Sequence, residues 1–196
     1  AYNEFFRTQL KELLTNYGPV AEVWFDGYCG EGPNGRRQEY EWSSYYELVR
    51  RFQPEAVVAI SGPDVRWVGN ESGLARESEW SVLPLPLSEG ELAGVSRGET
   101  SLDMVFRPLN LMGEDLGSRE KILSARALFW YPAEVDVSIR PGWFYHQNQD
   151  NEVKSSVELF KIYLQSVGRN SVLLLNVPPD RRGLLADNDI KVLQEF

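Results

Sequence analysis

The sequence predicts an α/β protein built on parallel strands. Three observations lead there. Helical and strand-like segments alternate along the chain, the strands are short and almost wholly apolar, and each strand stops at polar or turn-forming residues. Continuously apolar strands are buried on both faces, which in α/β proteins means helices packed on either side of a parallel sheet. In such architectures ligands and catalytic groups gather at the carboxyl ends of the strands. The residues that stop each run are therefore the first candidates for function.

Tyr2 to Tyr17 places Phe5, Phe6, Leu10, Leu13 and Leu14 at helical spacing, and Gly18-Pro19 ends the pattern. Val20–Phe25 reads as a buried strand closed by Asp26-Gly27, followed by a Gly-, Pro- and Asn-rich loop to about Gln38. Ser44–Phe52 is a helix. Ala56–Ile60 is a second apolar strand ended by Ser61-Gly62-Pro63-Asp64, with Val65–Val68 as a short continuation. Ser78–Leu83 reads as another short strand, and Pro84 to Pro108 as a long aperiodic loop. Ser118–Phe129 is a predicted helix with Ser118 as its cap. Ala133–Ile139 alternates as a strand and ends at Arg140-Pro141-Gly142-Trp143. Val153–Val167 is an amphipathic helix with Val157, Phe160, Leu164 and Val167 on one face. Ser171–Val177 is a last apolar strand, and Leu185–Phe196 a final helix.

Composition narrows the functional classes. The 196 residues carry 20 Lys and Arg against 29 Asp and Glu, a net charge of −9, which argues against a nucleic-acid partner. The chain can bury a core but is shorter than the roughly 250 residues of a full (β/α)8 barrel. A single cysteine, Cys29, forms no intrachain disulfide and no zinc cluster. No apolar run reaches the length of a membrane-spanning helix. Several of the six Trp sit beside Gly, Asp, Arg or Glu rather than inside apolar runs. Core packing accounts for most of the rings, but this placement also fits a cleft lined with ring faces, as in sugar binders.

Nucleophilic triads are hard to build here. His146 is the only histidine, there is no Gly-x-Ser-x-Gly elbow, and Cys29 has no visible base. Gly30-x-Gly32-x-x-Gly35 matches a dinucleotide pattern, but Arg36-Arg37 follows it instead of a helix, so it reads as a surface loop. Carboxylates remain. Asp26 ends a buried strand beside Trp24 and Phe25, and Glu71 lies in the loop after the next strand. Two carboxylates on neighbouring strand ends can face each other across a cleft, as retaining glycosidases require at about 5–5.5 Å. With 29 acidic residues many such pairs exist. Bracing a loop or capping a helix explains either residue taken singly.

Four segments together carry a resemblance. Val20-Ala21-Glu22-Val23-Trp24-Phe25-Asp26-Gly27 resembles the nucleophile strand of the α-L-fucosidases of glycoside hydrolase family 29. The stretch Arg66-Trp67-Val68-Gly69-Asn70-Glu71-Ser72-Gly73, continuing to Ser81, resembles their acid/base region, closest to the subgroup acting on α-1,3/1,4-linked fucose. Ile139–Tyr145 and Asn170–Pro179 match further segments in the same order. The resemblance implies a retaining mechanism with Asp26 as nucleophile and Glu71 as acid/base, Glu77 and Glu79 being rivals for the second role. It implies sugar contacts from Trp24, Asp64, Arg66, Trp67 and Trp143, a fucosylated glycan as substrate, no metal or organic cofactor, and an extracellular or periplasmic setting. It also implies a (β/α)8-like barrel of which this chain supplies about strands four to eight, as a single partial catalytic domain over 1–196. The first half of the barrel, with its early histidines, and any C-terminal β-domain would then be absent. The alternative is a non-catalytic carbohydrate-binding or structural barrel fragment.

Overall fold

A computed structural model describes residues 1–26, 35–109 and 111–196. Cys29 and most of the Gly30–Gly35 pattern lie outside the described residues. The elements run α1 (Tyr2–Asn16), β1 (Glu22–Phe25), α2 (Trp42–Phe52), β2 (Val57–Ile60), β3 (Arg66–Trp67), β4 (Val82–Pro84), α3 (Glu89–Ser96), α4 (Leu102–Val105), α5 (Arg119–Leu123), β5 (Leu128–Trp130), β6 (Ala133–Ser138), α6 (Ser156–Ser166), β7 (Ser171–Asn176) and α7 (Asp187–Glu195). The fold is α/β with parallel strands, arranged in two compact units.

The first unit comprises Ala1–Arg66, Val82–Asn110 and Arg119–Tyr131. Here β1 and β2 pair in parallel, from Glu22 opposite Val57 to Phe25 opposite Ile60. Helix α1 buries Leu10 and Leu14, and α2 buries Tyr45, Tyr46 and Val49. The core is largely aromatic. Phe6 packs on Tyr45 at 4.6 Å between ring centres, Phe25 lies 6.1 Å from Trp42, and Tyr46 meets Phe106 edge-on at 6.2 Å. Phe106 in turn meets Tyr131 at 5.7 Å. Such pairs contribute about 0.5–1.5 kcal/mol each beyond area burial.

Two expectations fail in this unit. The long loop over Pro84–Pro108 contains α3 and α4. Helix α3 (EGELAGVS) has almost no apolar periodicity and buries only Gly94, so periodicity could not reveal it. A capping box marks it instead, Ser88 accepting from the Glu91 N–H while the Glu91 carboxylate reaches back to Ser88. The helix expected over Ser118–Phe129 stops at Leu123, and Leu128–Trp130 forms a strand antiparallel to β4. Phe129 and Tyr131 are buried while Leu128 and Trp130 are exposed, a period of two that overrides helical continuation.

The second unit comprises Trp67–Ser81, Leu111–Ser118 and Pro132–Phe196. β6 and β7 pair in parallel over six residues, Ala133 opposite Ser171 through Ser138 opposite Asn176. β3 joins the other side of β6, with the Val68 N–H donating to the Glu134 carbonyl at 2.9 Å. The core is aliphatic, Val137 and Ile139 packing with Leu159 and Ile162 of α6. A second capping box, Ser155 with Glu158, starts α6. This helix buries Leu159, Ile162 and Ser166, not the Val157–Phe160–Leu164–Val167 face, which stays exposed. The buried face tolerates Ser166 because its hydroxyl donates to the Ile162 carbonyl one turn back. Strand β6 does alternate, as the sequence indicates, yet all six of its residues are buried.

Candidate functional site at the strand ends

In the first unit the chemistry-bearing residues collect where β1 and β2 end. Trp24 and Asp26 flank the buried Phe25, so the two-residue period of the strand sends them to the opposite face. Trp24 is 36% exposed and Asp26 is exposed at the carboxyl end of β1. Next to it, β2 ends at Ile60 in the left-handed region, with φ of +70°. For a β-branched residue this costs on the order of 1–3 kcal/mol. The surroundings hold it there. The Ile60 N–H donates to Val65, the Ser61 N–H donates to Phe25, the Tyr46 hydroxyl donates to the Ser61 carbonyl at 2.5 Å, and the Tyr131 hydroxyl donates to the Gly62 carbonyl at 2.7 Å. Gly62 has no alternative, since a Cβ there would lie 2.4 Å from the Val58 side chain and 2.7 Å from its carbonyl oxygen. Burial pushes the phenols of both Tyr46 and Tyr131 up from their ordinary value.

Asp64 and Arg66, expected as sugar contacts, serve the protein's own backbone and side chains. Asp64 accepts from Arg50 at 2.6 Å with one oxygen and from the Val58 N–H at 2.7 Å with the other. Arg50 also binds Asp103 at 2.8 Å. Arg66 is fully buried, and its Nε donates to the Tyr131 carbonyl at 2.9 Å. Both residues fix the path of the chain after β2.

In the second unit, Trp67 donates its indole N–H to Asp136 at 2.5 Å, which ties the start of the 69–79 loop to the middle of β6. Asn70 organises the loop tip, accepting from the N–H and hydroxyl of Ser72 and donating to the Leu74 carbonyl. Glu71 is exposed within this turn. Gly73 holds φ of +81° against Ile162, which a Cβ would approach to 3.0 Å. Arg76 then closes the loop. Its guanidinium donates to the carbonyls of Val68, Leu111 and Gly113 and pairs with Glu79, whose side chain is 1% exposed. Of the three carboxylates in this stretch, Glu71 and Glu77 face solvent and Glu79 is enclosed by Arg76.

The ends of β6 and β7 carry a polar network that centres on Ser138. Its hydroxyl donates to the Gly142 carbonyl and accepts from Asn176 and from the Arg140 N–H. Asn176 also donates to the Trp143 carbonyl at 3.1 Å, and Lys154 donates to the Ser138 carbonyl at 2.7 Å. Burial pushes the Lys154 ammonium below its ordinary value. Trp143, 37% exposed, is thereby presented on a braced loop. Arg140, wholly buried, pairs with Asp189 and Asp150 and lies 4.7 Å from the Tyr145 ring centre. Sequence reasoning missed Asp136, Ser138, Asn176 and Lys154. The available signal was the polar set Glu134, Asp136, Ser138 and Arg140 at alternate positions of one strand. Asp26 belongs to the first unit, whereas Glu71 and Trp143 belong to the second. Among the described residues no group of three His, Cys, Asp or Glu could hold a metal ion, and no helix is long and apolar enough to cross a membrane.

Comparison with known proteins finds similarity along the whole chain. Residues 112–196 match the family model described as Alpha-L-fucosidase. The curated Alpha-L-fucosidase 1 of Arabidopsis thaliana is 41% identical over all 196 residues, which cover 34% of that relative. A crystal structure of a candidate alpha-L-fucosidase from Bacteroides ovatus aligns with a TM-score of 0.83 at 55% identity, over 100% of this chain and 32% of that one. A Ruminococcus gnavus GH29 fucosidase solved in complex with fucose aligns with a TM-score of 0.70 at 28% identity, over 100% of this chain and 37% of that one. The chain thus spans about a third of the length of the relatives it matches, and over all of that span it is similar to alpha-L-fucosidases.

Proposed function

We propose that the chain is the part of an α-L-fucosidase catalytic domain that carries both catalytic carboxylates. The observation that carries this reading is the similarity to alpha-L-fucosidases along the entire chain. The exposed Asp26 at a strand end and the exposed Glu71 on a braced loop are consistent with it. The third of the relatives' length that the chain spans fits about strands four to eight of a (β/α)8-like barrel, as a single partial domain.

In this reading Asp26 attacks the anomeric carbon of the fucosyl unit, the bond to the glycosidic oxygen breaks, and Glu71 gives its proton to that departing oxygen. Water then attacks the glycosyl ester, Glu71 takes the proton, and Asp26 is released as carboxylate. Trp24 and Trp143 offer ring faces to the sugar. Asp64 and Trp67, both part-exposed, are further sugar contacts, and the buried Arg66 acts through the loop it holds. The substrate is a fucosylated glycan, and the 66–81 segment favours α-1,3/1,4 linkages.

A chimera tests the reading. This chain replaces the aligned third of the Arabidopsis relative, and hydrolysis of an aryl α-L-fucoside and of a branched fucosylated oligosaccharide is followed. The chimera is expected to cleave both, and Asp26→Asn to lower kcat by about 10³-fold or more. Glu71→Ala is expected to spare the aryl fucoside relative to the oligosaccharide, because an aryl leaving group needs little protonation. An inactive chimera beside an active parent overturns the function. Full activity in Asp26→Asn overturns the nucleophile.

A further inference from the structure

The loops that follow β6 and β7 enclose an open cleft of about 840 Å³, lying wholly within the second unit. The size falls in the range of small-ligand sites. Tyr145, His146, Gln147 and Asn148 line it from the first loop, and Asp180, Arg181 and Arg182 from the second. It lies on the carboxyl side of both strands, where parallel α/β architectures bind ligands.

The lining sets two guanidinium groups against one carboxylate. Its one carboxylate is already used: Asp180 accepts from the N–H groups of Arg182 and Leu184 and pairs with the Arg182 guanidinium at 2.7 Å. The Asp180 side chain is only 8% exposed, so it offers little to a ligand. Arg182 is neutralised by this pairing, and Arg181 carries no ion pair among the described residues. The lining thus carries one more positive than negative charge on a chain whose net charge is −9, with Asp187 outside the lining but close enough to act on Arg182. The walls are held from behind. Buried Arg140 lies 4.7 Å from the Tyr145 ring centre and donates to the His146 carbonyl, while the Gln149 N–H donates to the same carbonyl at 3.0 Å. Asn188 fixes the end of the loop through the Asp150 carbonyl.

We infer that this cleft binds an acidic substituent of a glycan, a carboxylate or a sulfate ester, with Arg181 supplying the charge and His146, Gln147 and Asn148 the hydrogen bonds. The choice of a glycan rests on the fucosidase reading, whereas the preference for an anion rests on the cleft alone. A charge-assisted contact of this kind corresponds to roughly tenfold or more in affinity.

Direct binding to the 196-residue chain tests this without any turnover, so its failure is distinct from failure of the fucosidase assignment. The probes are fucose-free lactosamine in three forms: neutral, sulfated and sialylated. One or both acidic forms are expected to bind about tenfold or more tighter than the neutral one, to weaken as salt is raised, and to lose that advantage in Arg181→Ala and more so in Arg181→Glu. Arg181→Lys is expected to retain part of it. Whether the sulfated or the sialylated probe binds tighter identifies the acid. Equal binding of all three probes, or an acidic preference that survives Arg181→Glu, overturns the proposal.

Discussion

The two parallel strand pairs solve one problem by different means. Each must hold a strand end and the loop beyond it in a fixed path. In the first unit the β2 end is anchored by phenols reaching out of an aromatic core, Tyr46 to Ser61 and Tyr131 to Gly62. In the second, the β6 and β7 ends are anchored by buried charge and amides, Arg140 with Asp189 and Asn176 with Ser138. Neutral anchors tolerate loss of a partner better than ionic ones, because a buried charge left unpaired is far more costly than a lost neutral hydrogen bond. Cutting a phenol anchor at the β2 end is therefore expected to cost less than cutting the Arg140–Asp189 pair.

The largest expected effect follows from that contrast. Arg140→Met leaves Asp189, itself fully buried, without its ion pair. We expect a loss of about 3–5 kcal/mol in urea unfolding, together with loss of hydrogen-exchange protection in β6 and α7. A cost below about 1 kcal/mol breaks the contrast. Next is alkaline pH. Unfolded tyrosine ionises near pH 10, while Tyr46 and Tyr131 stay protonated to higher pH in the fold because burial disfavours the phenolate. The unfolded state thus loses protons first, and stability present below pH 10 declines as pH rises above it. The slope is about 1.4 kcal/mol per pH unit per tyrosine. Tyr46→Phe and Tyr131→Phe each remove their share of that slope, at a cost of about 1–2 kcal/mol at neutral pH. An unchanged slope in both variants counts against phenol anchoring.

The smallest effect compares two helix starts of the same chemistry. Ser155→Ala removes a cap from a helix that buries Leu159 and Ile162, so we expect about 1 kcal/mol in global unfolding. Ser88→Ala removes the equivalent cap from α3, which buries only Gly94. Its loss is expected as local opening, visible in exchange of the 89–96 amides but not in the global midpoint. Equal global costs for both would show that α3 is better packed than its burial indicates.

This pair also shows what the sequence could and could not disclose. The strands Val57–Ile60 and Ser171–Asn176 were legible as continuous apolar runs, although the burial on both faces that such runs suggest fails in β7, where Val172 and Leu174 are exposed. Helix α3 was not, because Gly90, Ala93 and Gly94 carry no stripe, although Ser88-x-x-Glu91 was there to be read. The Val157–Phe160–Leu164 stripe pointed away from the face that α6 buries, since apolar spacing marks a face without saying that it is covered. At the strand ends, Asp26 was legible as the acid that stops an apolar run. Asp64 and Arg66 stood among the expected sugar contacts only through the family resemblance. Only coordinates could show Asp64 held by Arg50 and Arg66 enclosed beside Tyr131.

The Arg76 clamp has a consequence in time. One guanidinium joins the carbonyls of Val68, Leu111 and Gly113, and the unit it closes is assembled from three separate stretches of chain. During synthesis the Trp67–Ser81 stretch leaves the ribosome long before β6 and β7, the strands it needs. At usual elongation rates that wait is on the order of ten seconds. Until it ends, the loop bearing Glu71 has no sheet to stand on, so its placement is among the last events in the birth of the fold.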